Sequence, residues 1–169
     1  PGQSAQCAEM MPLILQNEIT NILISFASDL IDIDLRKAVS RGKTFLNKNE
    51  VSAMLVCLSN MAAYEHLKKK YSPTYVMGYS VGQWSALQAA GMVSREDLLT
   101  IVAKRAMLMN QTPGVSKGGM LAVIGLPKGK LQQVIAETQG YVVIANENAP
   151  GQYTLSGEIS ALKVVEKKL

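Results

Sequence analysis

Tyr75-Val76-Met77-Gly78-Tyr79-Ser80-Val81-Gly82-Gln83-Trp84 is the stretch on which the reading of this chain turns. Its pattern predicts a short strand, a tight turn flanked by two glycines, and the first turn of a helix, with Ser80 at the apex. A serine so placed is held out from the sheet, over the open N–H groups and positive dipole end of the helix. That position suits a nucleophile whose acyl adduct must carry negative charge on a carbonyl oxygen. A G-x-S-x-G pattern alone is shared by several hydrolase and transferase families, and the same turn can also serve as plain structure.

The chain around it has 169 residues, enough for one domain or for one domain and a small second lobe. Hydrophobic residues make up 48% and charged residues 18%, a globular composition that argues against disorder. The net charge of +4 suits an acidic partner or an anionic substrate. It is too diffuse for nucleic-acid binding, because Lys68-Lys69-Lys70 is the one basic run and aromatics are only 5%. Two cysteines form no disulfide framework and point to a reducing, cytoplasmic setting; Cys57 falls in an apolar helical pattern and Cys7 has no partner signal. Asn17, Glu18 and Asp29 interrupt the apolar N-terminal third, so no membrane span is expected. No metal site is expected either. The start at Pro1-Gly2-Gln3 resembles no signal peptide and reads as a fragment or a trimmed chain.

Taken in order, residues 8–31 read as helical with a break near Pro12, and 35–41 as a second helix ending at Gly42. Asn47 and Glu50 have the spacing of a helix start. Val51, Met54, Leu55, Leu58, Met61 and Ala62 then repeat at helical period as far as the lysine run. The helix after Ser80 should stop at Gly91, and Ser94 with Asp97 should cap the next one. Beyond residues 112–119 the character changes to strand 120–126, helix 130–138, strands 141–145 and 152–156, and helix 160–168. This β-α-β-β-α order predicts a split-βαβ, ferredoxin-like unit without its final strand. Residues 1–115 and 116–169 are thus expected to form a larger and a smaller subdomain.

Arg105 is the second informative residue. It lies within the apolar stripe of its helix, and its neighbours three and four positions away are Ile101, Val102, Leu108 and Met109. No local carboxylate neutralises it. A guanidinium turned inward needs a partner, and its fork suits a carboxylate held by two bonds. A distant Asp or Glu, an outward snorkel, or a substrate carboxylate would each meet that need.

These residues resemble a known family. Gly78-Tyr79-Ser80-Val81-Gly82-Gln83 is similar to the G-H-S-x-G-E signature of malonyl-CoA:acyl-carrier-protein transacylases and of polyketide and fatty acid synthase acyltransferase domains. Pro1-Gly2-Gln3-Ser4-Ala5-Gln6 resembles the family's opening P-G-Q-G-S-Q. Arg105, twenty-five positions after Ser80, matches the family arginine in spacing and context. Gly119-Met120-Leu121-Ala122, and Asn146 to Gln152 followed by Ser156-Gly157, resemble its small-subdomain motifs.

The resemblance implies an α/β fold, a partial hydrolase-like acyltransferase core with an incomplete ferredoxin-like small subdomain, and an active cleft between the two. It implies that Ser80 attacks the thioester of malonyl-CoA and passes the malonyl group to the phosphopantetheine thiol of an acyl carrier protein, in polyketide or fatty acid synthesis. The backbone N–H groups of Gln3 and Val81 would form the oxyanion hole, and Arg105 would bind the malonyl carboxylate. No bound cofactor is implied, since coenzyme A enters as the substrate thioester. Partners would be malonyl-CoA, the carrier protein and a polyketide or fatty acid synthase.

Four positions depart from the family pattern. Tyr79 replaces a histidine, Gln83 a glutamate and Ser4 a glycine, while Val51 stands where many malonyl enzymes carry a glutamine. The family's base is a histidine expected beyond Leu169, and the only histidine here, His66, matches no family position. The chain alone is therefore expected to be inactive or very weak. Two other readings remain open from sequence: an α/β-hydrolase such as a thioesterase or esterase, and a degenerate acyltransferase that docks a carrier or synthase partner.

Overall fold

Asn17 sets the first corner of the chain. In the computed structural model, which describes residues 1–111 and 117–169, helix α1 (Met10–Gln16) ends there and α2 (Glu18–Ile31) begins. The Asn17 side chain accepts the Thr20 N–H at 3.1 Å, capping α2. The break expected at Pro12 therefore falls five residues later. Pro12 sits in the first turn of α1, where its missing N–H has no intrahelical partner to lose.

Residues 35–41 form two successive 3-10 turns, not one helix, and reverse at Gly42 with φ 84°. A short α3 (Lys43–Leu46) precedes α4 (Asn49–Leu67). The Asn47–Glu50 cap is not formed: α4 starts two residues later, and the Asn47 side chain accepts a hydrogen bond from Gln6 Nε2 instead.

Helix α4 is the axis of the first unit, Pro1–Asn110. The sequence pattern gives it one apolar face, yet every residue from Val51 to Ser59 is buried. Small side chains at Ser52, Ala53, Cys57 and Ser59 let α1, α2, α3 and α5 pack against several of its sides. Such residues carry little hydrophobic signal, so the period showed only the larger ones. Burying Leu55 and Leu58 at 1% and 0% exposure contributes about 2–3 kcal/mol each.

Helix α5 (Gly82–Ala89) closes with a Schellman motif in which the Met92 N–H reaches Leu87 O and the Gly91 N–H reaches Gln88 O. Gly91 takes the required left-handed φ of 74°. Tyr64 of α4 donates its hydroxyl to Ala89 O at 3.2 Å, which fixes the far end of α5. Helix α6 (Arg95–Gln111) starts at the expected box: Asp97 N–H donates to Ser94 Oγ at 3.0 Å, and Ser94 Oγ–H donates to Asp97 Oδ2 at 2.7 Å. Arg95 and Lys68 both pair with the buried Glu65 at 2.7 Å, tying α6 to the end of α4.

The expected strand before Ser80 is not formed. Among the described residues of 1–110 there is no strand, and Tyr75 and Met77 are 91% and 96% exposed. A strand needs a neighbour to take its alternating N–H and C=O groups, and no ladder in this unit supplies one.

The second unit, Gln111–Leu169, is built on a three-stranded antiparallel sheet. Its elements are β1 (Gly118–Ile124), α7 (Lys128–Ala136), β2 (Val142–Ala149), β3 (Gln152–Glu158) and α8 (Ile159–Lys168), with sheet order β1-β3-β2. The loop expected at Asn146–Gly151 is mostly strand. Pairing with β3 carries β2 through Ala149, with register shifts at Ala145 and Asn148 on either side of the paired Asn146 and Glu147. Only Pro150-Gly151 turns; Gly151 has φ 75°, as a type II turn requires after proline. Leu131, Leu155, Leu162 and Val165 form a core separate from that of the first unit.

Candidate active site

Ser80 has φ 52°, in the left-handed region that side-chain-bearing residues seldom enter. Three sets of contacts hold it there. The Gly82 and Gln83 N–H groups return to Tyr79 O and Ser80 O at 2.9 and 3.1 Å, closing the turn. Gly78 lies against the Gly82 carbonyl and Gly82 against the Pro1 carbonyl, both too closely for a Cβ at either glycine. Asn60 Nδ2 pins the Pro1 carbonyl at 3.3 Å and also donates to Ser85 Oγ at 3.1 Å on α5. The strain at Ser80 is thus imposed by packing of the opening segment on the turn.

Ser80 itself is exposed, while Val81 beside it is fully buried as the residue leading into α5. The N–H groups of Val81 and Gln3 are given to no backbone carbonyl among the described residues. Gly2, the residue before Gln3, packs directly on the turn: a Cβ added to it would stand 2.9 Å from Ser80 Cβ.

Gln3 extends the constellation to Arg105. The guanidinium is half-buried on α6 and has no carboxylate within ion-pair range among the described residues. Its Nη1 donates to Gln3 Oε1 at 3.5 Å. The distant Asp or Glu considered from sequence is absent from its surroundings in the described residues. Gln3 Nε2 in turn donates to Asn49 Oδ1 at 2.8 Å, Asn49 O at 3.1 Å and Ser52 Oγ at 3.1 Å. Ser80, Gly2, Gln3 and Arg105 therefore form one connected chain of contacts within the first unit.

The chain matches the acyl transferase domain family over residues 13–169. The chain belongs to that family. A malonyl CoA-acyl carrier protein transacylase of Staphylococcus aureus (strain COL) is 34% identical over 176 residues, covering 99% of this chain and 56% of the relative. The solved acyl-carrier-protein S-malonyltransferase of Burkholderia pseudomallei 1710b superposes with a TM-score of 0.86 at 28% identity, covering 99% of this chain and 56% of that one. A malonyl-transacylase solved in complex with its type II polyketide acyl-carrier protein gives a TM-score of 0.82 at 27% identity, with the same coverage. The chain spans about 56% of the length of these relatives.

Within this acyl transferase chain, the departures at Ser4 and Val51, and the unmatched His66, each have a structural expression. Ser4 holds φ 78°, the backbone state that a glycine there would adopt without strain. Val51 is fully buried in α4 and presents no polar group to the site. His66 is exposed in the last turn of α4, consistent with a surface residue. Tyr79 is 55% exposed, with its ring edge 3.1 Å from a Cβ placed on Gly2.

Cys57 lies buried beneath the site on α4. Burial pushes its thiol up to about 11, against a hydrogen bond from Ser85 and the positive charges of Arg105 and the N-terminus. It is thus kept protonated at neutral pH and inert as a nucleophile. Sequence reasoning missed Asn49, Asn60 and Asn110 as members of the site. No spacing rule marks an isolated asparagine, and Asn49 was hidden beside a residue that imitated a helix cap.

Proposed function

We propose that this chain supplies the nucleophile, oxyanion donors and carboxylate receptor of a malonyl transferase that works between coenzyme A and an acyl carrier protein. The observation that carries this reading is Arg105: a half-buried cation with no carboxylate in ion-pair range among the described residues, joined through Gln3 to the strained serine turn. The names of the matched relatives, malonyl transacylases and one in complex with a polyketide carrier protein, support the substrate and the partner.

In this reading Ser80 Oγ bonds to the malonyl carbonyl carbon as the C–S bond breaks, and the serine proton leaves with the coenzyme A thiol. The carbonyl oxygen becomes an oxyanion against the Val81 and Gln3 N–H groups. The phosphopantetheine thiol of the carrier then attacks the ester, its sulfur takes the malonyl group, and Ser80 regains a proton. Arg105 fixes the free carboxylate, so the thioester is oriented at both ends and an acetyl group is held at one only. Coenzyme A is a substrate and the pantetheine arm belongs to the carrier, so no resident cofactor takes part.

The finer architecture belongs to the same reading. The helices around the serine turn correspond to a hydrolase-like acyltransferase core, and sheet order β1-β3-β2 is that of a ferredoxin-like unit. Two free cysteines suit a cytoplasmic setting. A simple thioesterase has no use for Arg105, which favours transfer of a dicarboxylic acyl group.

Calorimetric titration of the chain with malonyl-CoA and acetyl-CoA tests the proposal without requiring turnover. Malonyl-CoA should bind roughly ten-fold or more tightly, the value of a charge-assisted hydrogen bond, and Arg105→Ala should erase the difference. Equal binding of the two thioesters by the unaltered chain would remove the malonyl assignment.

A further inference from the structure

The contacts behind Arg105 run in a single direction. Arg105 Nη1 donates to Gln3 Oε1 at 3.5 Å, and Gln3 Nε2 donates to Asn49 Oδ1 at 2.8 Å. Asn49 Nδ2 donates to Asn110 Oδ1 at 3.0 Å, and Asn110 Nδ2 donates to Glu50 Oε2 at 2.9 Å. A cation stands at one end, a carboxylate at the other, and three carboxamides lie between them.

The orientation of each amide is fixed by chemistry. Arg105 can only donate, so it must face the oxygen of Gln3. The Asn49 and Ala106 backbone carbonyls can only accept. They therefore face Gln3 Nε2 and Asn49 Nδ2, at 3.1 and 3.0 Å. Flipping either amide would set oxygen against oxygen and leave Arg105 facing an N–H pair.

We propose that the carboxamides of Gln3, Asn49 and Asn110 are positioning residues that form a directed relay from Glu50 and aim the Arg105 guanidinium at the acyl carboxylate. This rests on the proposed malonyl specificity and names the groups that set it. Aligned amide dipoles reinforce one another, so the oxygen that Gln3 presents to Arg105 is a better acceptor than an isolated amide's. The relay restrains the guanidinium without neutralising it, because the one carboxylate involved is three amides away. A carboxylate in direct contact would hold Arg105 as firmly and cancel the charge that the substrate must find. Gln3 then has two parts in the site: the oxyanion donor of the proposed function is its backbone N–H, and its side chain holds the arginine. It thus couples the two ends of a short dicarboxylic acyl group.

The decisive variants are Asn49→Ala and Gln3→Leu, the second of which keeps the backbone N–H of residue 3. Calorimetry on the 169-residue chain would compare malonyl-CoA with acetyl-CoA for each, and for Asn49→Ala combined with Arg105→Ala. The relay predicts that Asn49→Ala lowers the malonyl-to-acetyl preference about ten-fold, as expected when a hydrogen bond organising a charged group is lost. It predicts no further loss when Arg105→Ala is already present, because both changes act through the same guanidinium. If Asn49→Ala unfolds the chain, as circular dichroism would report, Gln3→Leu should show the same fall in preference. An intact preference in a folded Asn49→Ala or Gln3→Leu chain would overturn the relay while leaving the malonyl assignment standing. Absence of any preference in the unaltered chain would overturn both. A merely structural role would weaken both thioesters alike and leave their ratio unchanged, which also counts against the relay.

Discussion

Ser80 Cβ lies 2.9 Å from the point where a Cβ on Gly2 would stand, and Tyr79 O lies 2.8 Å from the same point. No real Cβ tolerates both contacts, so the opening segment can reach the serine turn only with glycine at position 2. In the proposed reading that approach also sets the Gln3 N–H as an oxyanion donor, which couples the stability of the turn to its chemistry.

Gly2→Ala should therefore push the opening segment off the turn at a cost of about 1–3 kcal/mol, the usual range for overpacking. Gly129→Ala is the contrast, since nothing lies within 4 Å of its added Cβ in the first turn of α7. It should be neutral or stabilise by up to about 1 kcal/mol through helix propensity. Thermal melts of the two variants check both signs, and equal destabilisation would contradict the packing argument.

Ser4→Gly should stabilise the chain. Ser4 sits at φ 78°, where a Cβ costs about 1 kcal/mol and glycine's greater freedom in the unfolded chain returns part of that. A net gain of about 0.5 kcal/mol corresponds to a rise of about 1–2 °C in melting temperature for a chain of this size. A fall on substitution would show that the serine side chain matters more than its backbone strain.

Glu65 should make the stability of the first unit pH-dependent. Burial alone would raise its carboxyl, but the hydrogen bonds and charges of Lys68 and Arg95 outweigh this and hold it below the ordinary value of 4.5. A carboxyl lowered in the fold stabilises fully above its unfolded value and loses that contribution as pH falls through the folded one. Glu65→Gln should cost about 2 kcal/mol at pH 7, discounted from a fully buried pair because Lys68 and Arg95 are partly exposed. The gap should close as pH drops below 4.5. Denaturant midpoints at several pH values measure it, and a gap that widens in acid would reverse the sign.

What was legible in the sequence follows the kind of physics involved. The Ser94–Asp97 box, the Gly91 stop and the α7, β3 and α8 segments depend on local chemistry or short periods, and each was found near its expected place. The strand before Ser80 failed because a strand is a relation to a neighbour, and a run such as Tyr75-Val76-Met77 does not say whether the neighbour is present. The full burial of α4 was hidden because Ser52, Ala53 and Cys57 are small and carry no strong pattern. At the candidate site, Ser80 and Arg105 were singled out by spacing. The way Gln3 joins them was not, since contacts across 102 positions leave no local trace.

The most direct test of the central claim is intact-mass and peptide-mapping spectrometry after prolonged incubation of the chain with excess malonyl-CoA. Ser80 should gain one malonyl group, with none on Ser80→Ala and less on Arg105→Ala, while acetyl-CoA labels the unaltered chain more weakly. A malonyl group on a residue other than Ser80, or labelling by acetyl-CoA equal to that by malonyl-CoA, would contradict the account.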